Sequence, residues 1–296
     1  MGKASRNKRA GSARDRISAQ REIQRRREVR NRVFLSSGAV VVVIAIVLAF
    51  VLVKLNSHSK ASGGAATGTV LSASVLSGIN VPASTLNAVG KGTSDAKTII
   101  PVNGGSPLTS GGKPEVLYIG AEYCPYCATE RWAMAVALSR FGTFTGLHGI
   151  HSSSSDVYAN TPTLTFYKSK YTSKYVTFTP VETQTVTKAT LQTTTAAQNK
   201  LIDKYDAAPY VSGEAGAIPF VDFGNKYIIS GASYNPQVLS GKTWAQVSAA
   251  LSQSSSAIAQ GADGTANMIT AAICKLTNNQ PGSACTSVVQ SLEKSL

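Results

Sequence analysis

Residues 33–53 run for 21 positions without a charged side chain and are built largely from Val, Ile, Leu, Phe and Ala. At 1.5 Å per residue a helix of that length crosses the roughly 30 Å hydrocarbon layer of a bilayer, so the run predicts one transmembrane helix. Its flanks are unequal. Residues 1–32 carry twelve Lys/Arg against Asp15, Glu22 and Glu28, whereas only Lys54 and Lys60 follow within ten residues of the run. The positive-inside rule then sets the N-terminus in the cytoplasm and everything after Lys54 outside it. A cleaved signal peptide has a shorter basic region and an apolar core of roughly 7–15 residues, which favours an uncleaved anchor here. The basic arm also accounts for +9 of the net charge of +14. What remains is too mildly charged to line a nucleic-acid groove, and the arm itself reads as a topology determinant rather than a binding site.

After the anchor, residues 54–69 form a tether, Ser/Gly/Ala-rich from Ser57, and residues 70–296 are expected to fold as one domain. From Val70 to about Lys113 short apolar groups broken by Gly, Pro and Ser predict short strands or turns. Residues 115–120 form a short apolar run of the buried-strand type, and Pro125 to about Phe141 is rich in helix formers. Residues 151–160 are polar and loop-like, and His148 and His151 read as loop residues. Two Thr/aromatic/Val runs, 163–167 and 175–181, predict a hairpin or two edge strands, and helical spacing returns over 186–205. Two apolar runs joined by Gly224-Asn225 make a hairpin, and helices are expected over 243–251, 256–276 and 287–296. Trp132 and Trp244 fall in helical stretches as core residues.

The four cysteines are Cys124 and Cys127, spaced as C-x-x-C, and Cys274 and Cys285, with ten residues between them. An even count outside the cytoplasm favours disulfides over metal. A bridge between residues three apart closes too small a ring to contribute much loop entropy, so the first pair makes better sense as redox chemistry. The pair sits where a strand hands over to a helix. With Cys124 at the N-cap and Pro125 at the first helical position, unpaired amides and the helix dipole favour the Cys124 thiolate. Cys124 is then the attacking nucleophile and Cys127, one turn further in, the resolving thiol. A bridge between Cys274 and Cys285 would be structural, worth about 3 kcal/mol by the chain-entropy estimate, with a second redox pair that relays electrons as the alternative. Zinc is disfavoured, because ten intervening residues is not knuckle spacing, and the three histidines lie at no ligand spacing. No bound cofactor or metal is expected.

Val116-Leu117-Tyr118-Ile119-Gly120-Ala121-Glu122-Tyr123-Cys124-Pro125-Tyr126-Cys127 resembles the active-site segment of thioredoxins, and its Pro-Tyr dipeptide that of glutaredoxins. The wider stretch through Trp132, Pro219 and the C-terminal cysteines is similar to an uncharacterised prokaryotic family of membrane-anchored thioredoxin-like proteins. The resemblance implies an α/β thioredoxin-like fold with an inserted hairpin and helix and a C-terminal helical extension. It also implies a cis-proline opening a strand that faces the cysteines, with the preceding backbone binding an extended substrate. Pro219, preceded by Ile218, is the candidate. Thioredoxins carry a buried Asp six residues before the first cysteine, where this chain has Tyr118. Glu122 and Glu130 are nearby in sequence but read as solvated charges. The expected function is a membrane-anchored thiol–disulfide oxidoreductase acting on protein thiols or disulfides together with a redox partner. The alternative is a non-catalytic thioredoxin-like binding or assembly domain in which both disulfides are permanent and structural, with a docking surface that includes Glu130 and Arg131.

Overall fold

The computed structural model describes residues 68–94, 98–213 and 215–296. The basic arm, the 33–53 segment and the tether as far as residue 67 lie outside the described residues, as do the expectations attached to them. Among the described residues no helix is long and apolar enough to cross a membrane.

Strand β1 (Thr69–Val70) leads into two short helices, α1 (Ala73–Ser77) and α2 (Ala83–Val89), where the sequence suggested strands or turns. Local capping explains the difference. The Ser72 hydroxyl accepts the Val75 N–H as an N-cap, and Pro82 stands directly before the second helix. Strands β2 (Ile100–Pro101) and β3 (Thr109–Ser110) precede the long strand β4 (Lys113–Gly120), and helix α3 (Pro125–Ser139) follows as expected. Next come β5 (Gly142–Thr145), β6 (His148–His151), β7 (Pro162–Thr165), β8 (Lys170–Ser173) and β9 (Thr177–Glu182). His148 and His151 thus end a strand rather than lying in a loop.

The runs 163–167 and 175–181 do not pair with each other. Residues 168–174, expected as their connector, contain β8, which pairs antiparallel with β5, while β7 pairs antiparallel with β6. Strand β9 instead joins β4 in parallel, Tyr118 standing opposite Pro180 and Gly120 opposite Glu182. Helix α4 (Ala196–Tyr205) is half the length its spacing suggested. Residues 185–195 are Thr-rich and β-branched, Lys188 adopts a φ of 65°, and the helix starts only at the Thr195–Gln198 capping box.

Strands β10 (Phe220–Phe223) and β11 (Tyr227–Ser230) form the expected hairpin. Its turn needs positive φ at both central positions, met by Gly224 at 64° and Asn225 at 56°. Helix α5 (Trp244–Leu251) starts at an N-capping Thr243. The expected 256–276 helix contains a π-turn at Ala259–Asp263 before α6 (Gly264–Leu276), and α7 (Ser287–Glu293) completes the chain.

The architecture is mixed α/β. Its main sheet has six strands, with β4 between antiparallel β10 and parallel β9. Alternation along β4 divides the core: Val116 and Tyr118 join Val221, Phe223 and Trp132 on one face, and Leu117 and Ile119 join Phe220, Ile228 and Tyr205 on the other. Helix α3 is buried at every position from Cys127 to Leu138, packed among α6, β5 and β7. An all-round buried helix holds its N-terminus firmly at the end of β4.

Candidate functional site

The chain leaves β4 at Gly120 and reaches α3 through four residues, Ala121 to Cys124. A Cβ at Gly120 would lie 2.3 Å from the Tyr118 hydroxyl, so this close approach requires glycine. Cys124 is the N-cap of α3, with extended backbone (φ −76°, ψ 122°), and Pro125 holds the first helical position. The Cys127 N–H donates to Cys124 Sγ at 3.2 Å, so a sulfur does the capping that an oxygen usually does. The Cys124 thiol faces the Ile218 carbonyl at 3.7 Å, and the Ile218–Pro219 peptide is cis. Four residues singled out from sequence, Cys124, Cys127, Ile218 and Pro219, therefore meet at one point.

Both sulfurs are free thiols and both are buried, Cys124 keeping 4% of its surface and Cys127 none. Their electrostatics diverge. The Cys124 thiol is held below its ordinary pKa, first by the hydrogen bond with the Cys127 thiol, then by the Cys127 N–H and the Arg131 guanidinium, against its burial. Burial pushes the Cys127 thiol well up. Of the two, Cys124 ionises first.

Sequence reasoning missed what lies behind the pair. Glu122, Glu130 and Arg131 are buried rather than solvated, so Glu130 and Arg131 form no docking surface. Glu122 accepts a hydrogen bond from Thr165 Oγ1 at 2.7 Å, and burial raises its pKa. Glu130 accepts the Ser233 N–H at 3.1 Å, and burial raises its carboxyl to about 7. Arg131 forms a two-pronged ion pair with Glu182 at the end of β9, Nε to Oε1 at 2.8 Å and Nη2 to Oε2 at 2.7 Å. The only sequence signal for that pair was an acidic residue closing an otherwise strand-like run.

Aromatic side chains lie beside the cysteines in the chain. Tyr126 is 40% exposed and meets the Tyr158 ring edge-on at 5.9 Å, and Lys188 Nζ lies 4.9 Å from the Tyr123 ring. The Ser153 N–H donates to the Tyr123 carbonyl at 2.8 Å, tying the loop between β6 and β7 to the site. Trp132 is a core residue as expected, its Nε1 donating to the Pro162 carbonyl at 3.0 Å, and Trp244 is half-buried against the His151 ring.

Cys274 and Cys285 are joined in a buried disulfide, their Cα atoms 5.8 Å apart. Arg140, the C-cap of α3, donates to the Ala284 carbonyl at 2.6 Å, which ties this disulfide to the far end of the helix from Cys124. Fifteen helical residues separate those ends, roughly 20 Å. Direct exchange between the two pairs would need a large rearrangement. Among the described residues no group of three or more His, Cys, Asp or Glu stands ready to hold a metal ion.

Fold and site together define a mixed α/β domain with a buried C-x-x-C at a strand-to-helix junction, opposite a cis-proline loop. A family model described as "Domain of unknown function (DUF929)" matches residues 102–275, more than half of the chain, and the chain belongs to that family. The match takes in Cys124, Cys127, Pro219 and Cys274 and ends before Cys285. No curated protein and no solved structure matches the chain.

Proposed function

We propose that this protein is a thiol–disulfide oxidoreductase with a thioredoxin-like fold, anchored by residues 33–53 in the cytoplasmic membrane with its domain outside. The observation that carries the reading is the Cys124 sulfur itself. It caps a buried helix, accepts the Cys127 N–H and faces the Ile218 carbonyl beside Pro219. The sheet supports the fold assignment: β4 runs into the cysteine helix with a parallel neighbour on one side and, on the other, an antiparallel hairpin that begins just after Pro219.

In the proposed reaction the Cys124 thiolate attacks one sulfur of a substrate disulfide, forming a mixed disulfide and expelling the other sulfur as thiolate. Cys127, deprotonated in turn, attacks the Cys124 sulfur. The Cys124–Cys127 disulfide forms, the substrate leaves as a dithiol, and two electrons have passed to it; the reverse sequence oxidises a dithiol substrate. The Ile218 backbone would align an extended substrate across the sulfurs, no bound cofactor is needed, and a separate redox partner would reset the pair. The test is trapping. With Cys127→Ser, a disulfide-bearing peptide should accumulate as a stable adduct on Cys124, and Cys124→Ser should trap nothing.

One observation favours a second reading, a non-catalytic thioredoxin-like binding or assembly domain: Cys124 keeps only 4% of its surface. Failure of the Cys127→Ser protein to form any adduct, with its fold intact, would favour that reading.

A further inference from the structure

A buried ion pair is a costly way to join two elements, because well-packed apolar side chains of the same volume often serve equally well. Arg131 and Glu182 are nevertheless wholly buried, with both prongs of the pair formed. Arg131 lies one helical turn beyond Cys127, and its Nη2 donates at 2.7 Å to the Ala121 carbonyl. That same oxygen accepts the Cys124 backbone N–H at 3.2 Å. The Tyr118 ring lies 6.0 Å from the guanidinium carbon, and both Tyr118 Oη and Arg131 Nη1 are buried without a hydrogen-bond partner among the described residues.

Resting on the oxidoreductase reading, we infer that Arg131 is a positioning residue for the cysteine pair: it clamps the Ala121 turn that ends in Cys124 and supplies the buried positive charge that stabilises the thiolates. Glu182 fixes the guanidinium and moderates its charge. The charged and titratable groups nearby fit this division. Tyr118 from β4, Tyr123 from the turn and Arg131 from α3 act on the sulfurs, while Glu122 from the turn and Glu182 from β9 act on the guanidinium. Burial pushes Tyr118 well above the usual phenol range, so it takes up no negative charge at neutral pH. The guanidinium lowers the pKa of both thiols. A positive charge acting through space assists ionisation without accepting a proton.

The test compares the full-length chain with Arg131→Met/Glu182→Leu, Glu182→Gln and Arg131→Lys, each first shown to be folded by near-ultraviolet circular dichroism. The readouts are the pH dependence of Cys124 alkylation by iodoacetamide, followed by mass spectrometry, and the glutathione equilibrium of the pair. The apolar double variant should slow alkylation at pH 7 by up to about tenfold, the effect of raising the thiol pKa by about one unit. It should also shift the pair toward disulfide, because the charge that stabilised the reduced form is gone. Glu182→Gln should move both readouts the opposite way, and Arg131→Lys, which keeps the charge but loses the two-pronged pair with Glu182, should fall between the parent and the double variant. A folded double variant with the parental pH profile would overturn the inference, and so would a Glu182→Gln protein whose midpoint stays put or rises. Should the double variant not fold, the sign of the Glu182→Gln shift decides. If no protein, parent included, equilibrates with glutathione, the oxidoreductase reading fails, while the alkylation midpoints still judge Arg131.

Discussion

Glu130 is completely buried and accepts the Ser233 N–H through Oε2, while the neighbouring Arg131 is committed to Glu182. Burial raises its carboxyl from 4.5 to about 7. In the unfolded chain the group ionises near its ordinary pKa, whereas in the folded chain it keeps its proton until about 7. Between those values the folded state binds the extra proton, so stability falls as pH rises through that window and levels off above it. The shift corresponds to about 3 kcal/mol at 1.36 kcal/mol per pKa unit. Glu130→Gln keeps the acceptor for Ser233 and removes the ionisation. It should be close to neutral near pH 5 and stabilise the protein by up to about 3 kcal/mol near pH 8, less whatever the new amide N–H₂ loses for want of an acceptor. Urea unfolding of the full-length chain at several pH values, followed by Trp fluorescence, measures this. Asp222 and Asp263, raised by burial to about 7 and about 8, tilt parent and variant alike, so the difference between the two isolates Glu130. A difference that stays constant from pH 5 to 8 would mean that Glu130 does not hold its proton in the folded protein.

Replacing both Cys274 and Cys285 with Ala should cost about 3 kcal/mol, from the 11-residue separation, and leave Cys124 alkylation unchanged; a change in Cys124 reactivity without unfolding would contradict the separation of the two pairs. Trp132→Ala should cost about 3–5 kcal/mol because the ring is wholly buried at the centre of α3, and a loss under 1 kcal/mol would mean that the helix packs less tightly than described. Gly120→Ala should destabilise by about 1–3 kcal/mol through its clash with the Tyr118 hydroxyl, and adding Tyr118→Phe should return part of the loss; a strictly additive double variant in chemical denaturation would show that the clash lies elsewhere.

What the sequence announces at this site is local chemistry. A cysteine followed by proline at the end of an apolar strand predicts a capped helix start, and Gly224-Asn225 predicts a hairpin turn; both depend on backbone conformation within a few residues. The surroundings of the cysteines depend on distant partners. Arg131 finds Glu182 at a separation of 51 residues and Glu130 finds Ser233 at 103, so nothing near them signals burial, and charged residues are seldom buried. The parallel pairing of β9 with β4 escaped for the same reason, because a strand's local pattern does not name its neighbour. The overlong 186–205 helix was a different failure: its Thr-rich first half carried a β-branched warning that apolar spacing alone ignored.

Cys124 and Cys127 are proposed as a redox-active pair and Cys274–Cys285 as a static bridge. The glutathione redox equilibrium of the full-length chain, with differential alkylation and mass spectrometry reporting each pair separately, distinguishes the two. Cys124–Cys127 should equilibrate at a potential between roughly −270 and −120 mV, while Cys274–Cys285 stays oxidised. A Cys124–Cys127 pair that stays locked in one state across that range would contradict the proposal.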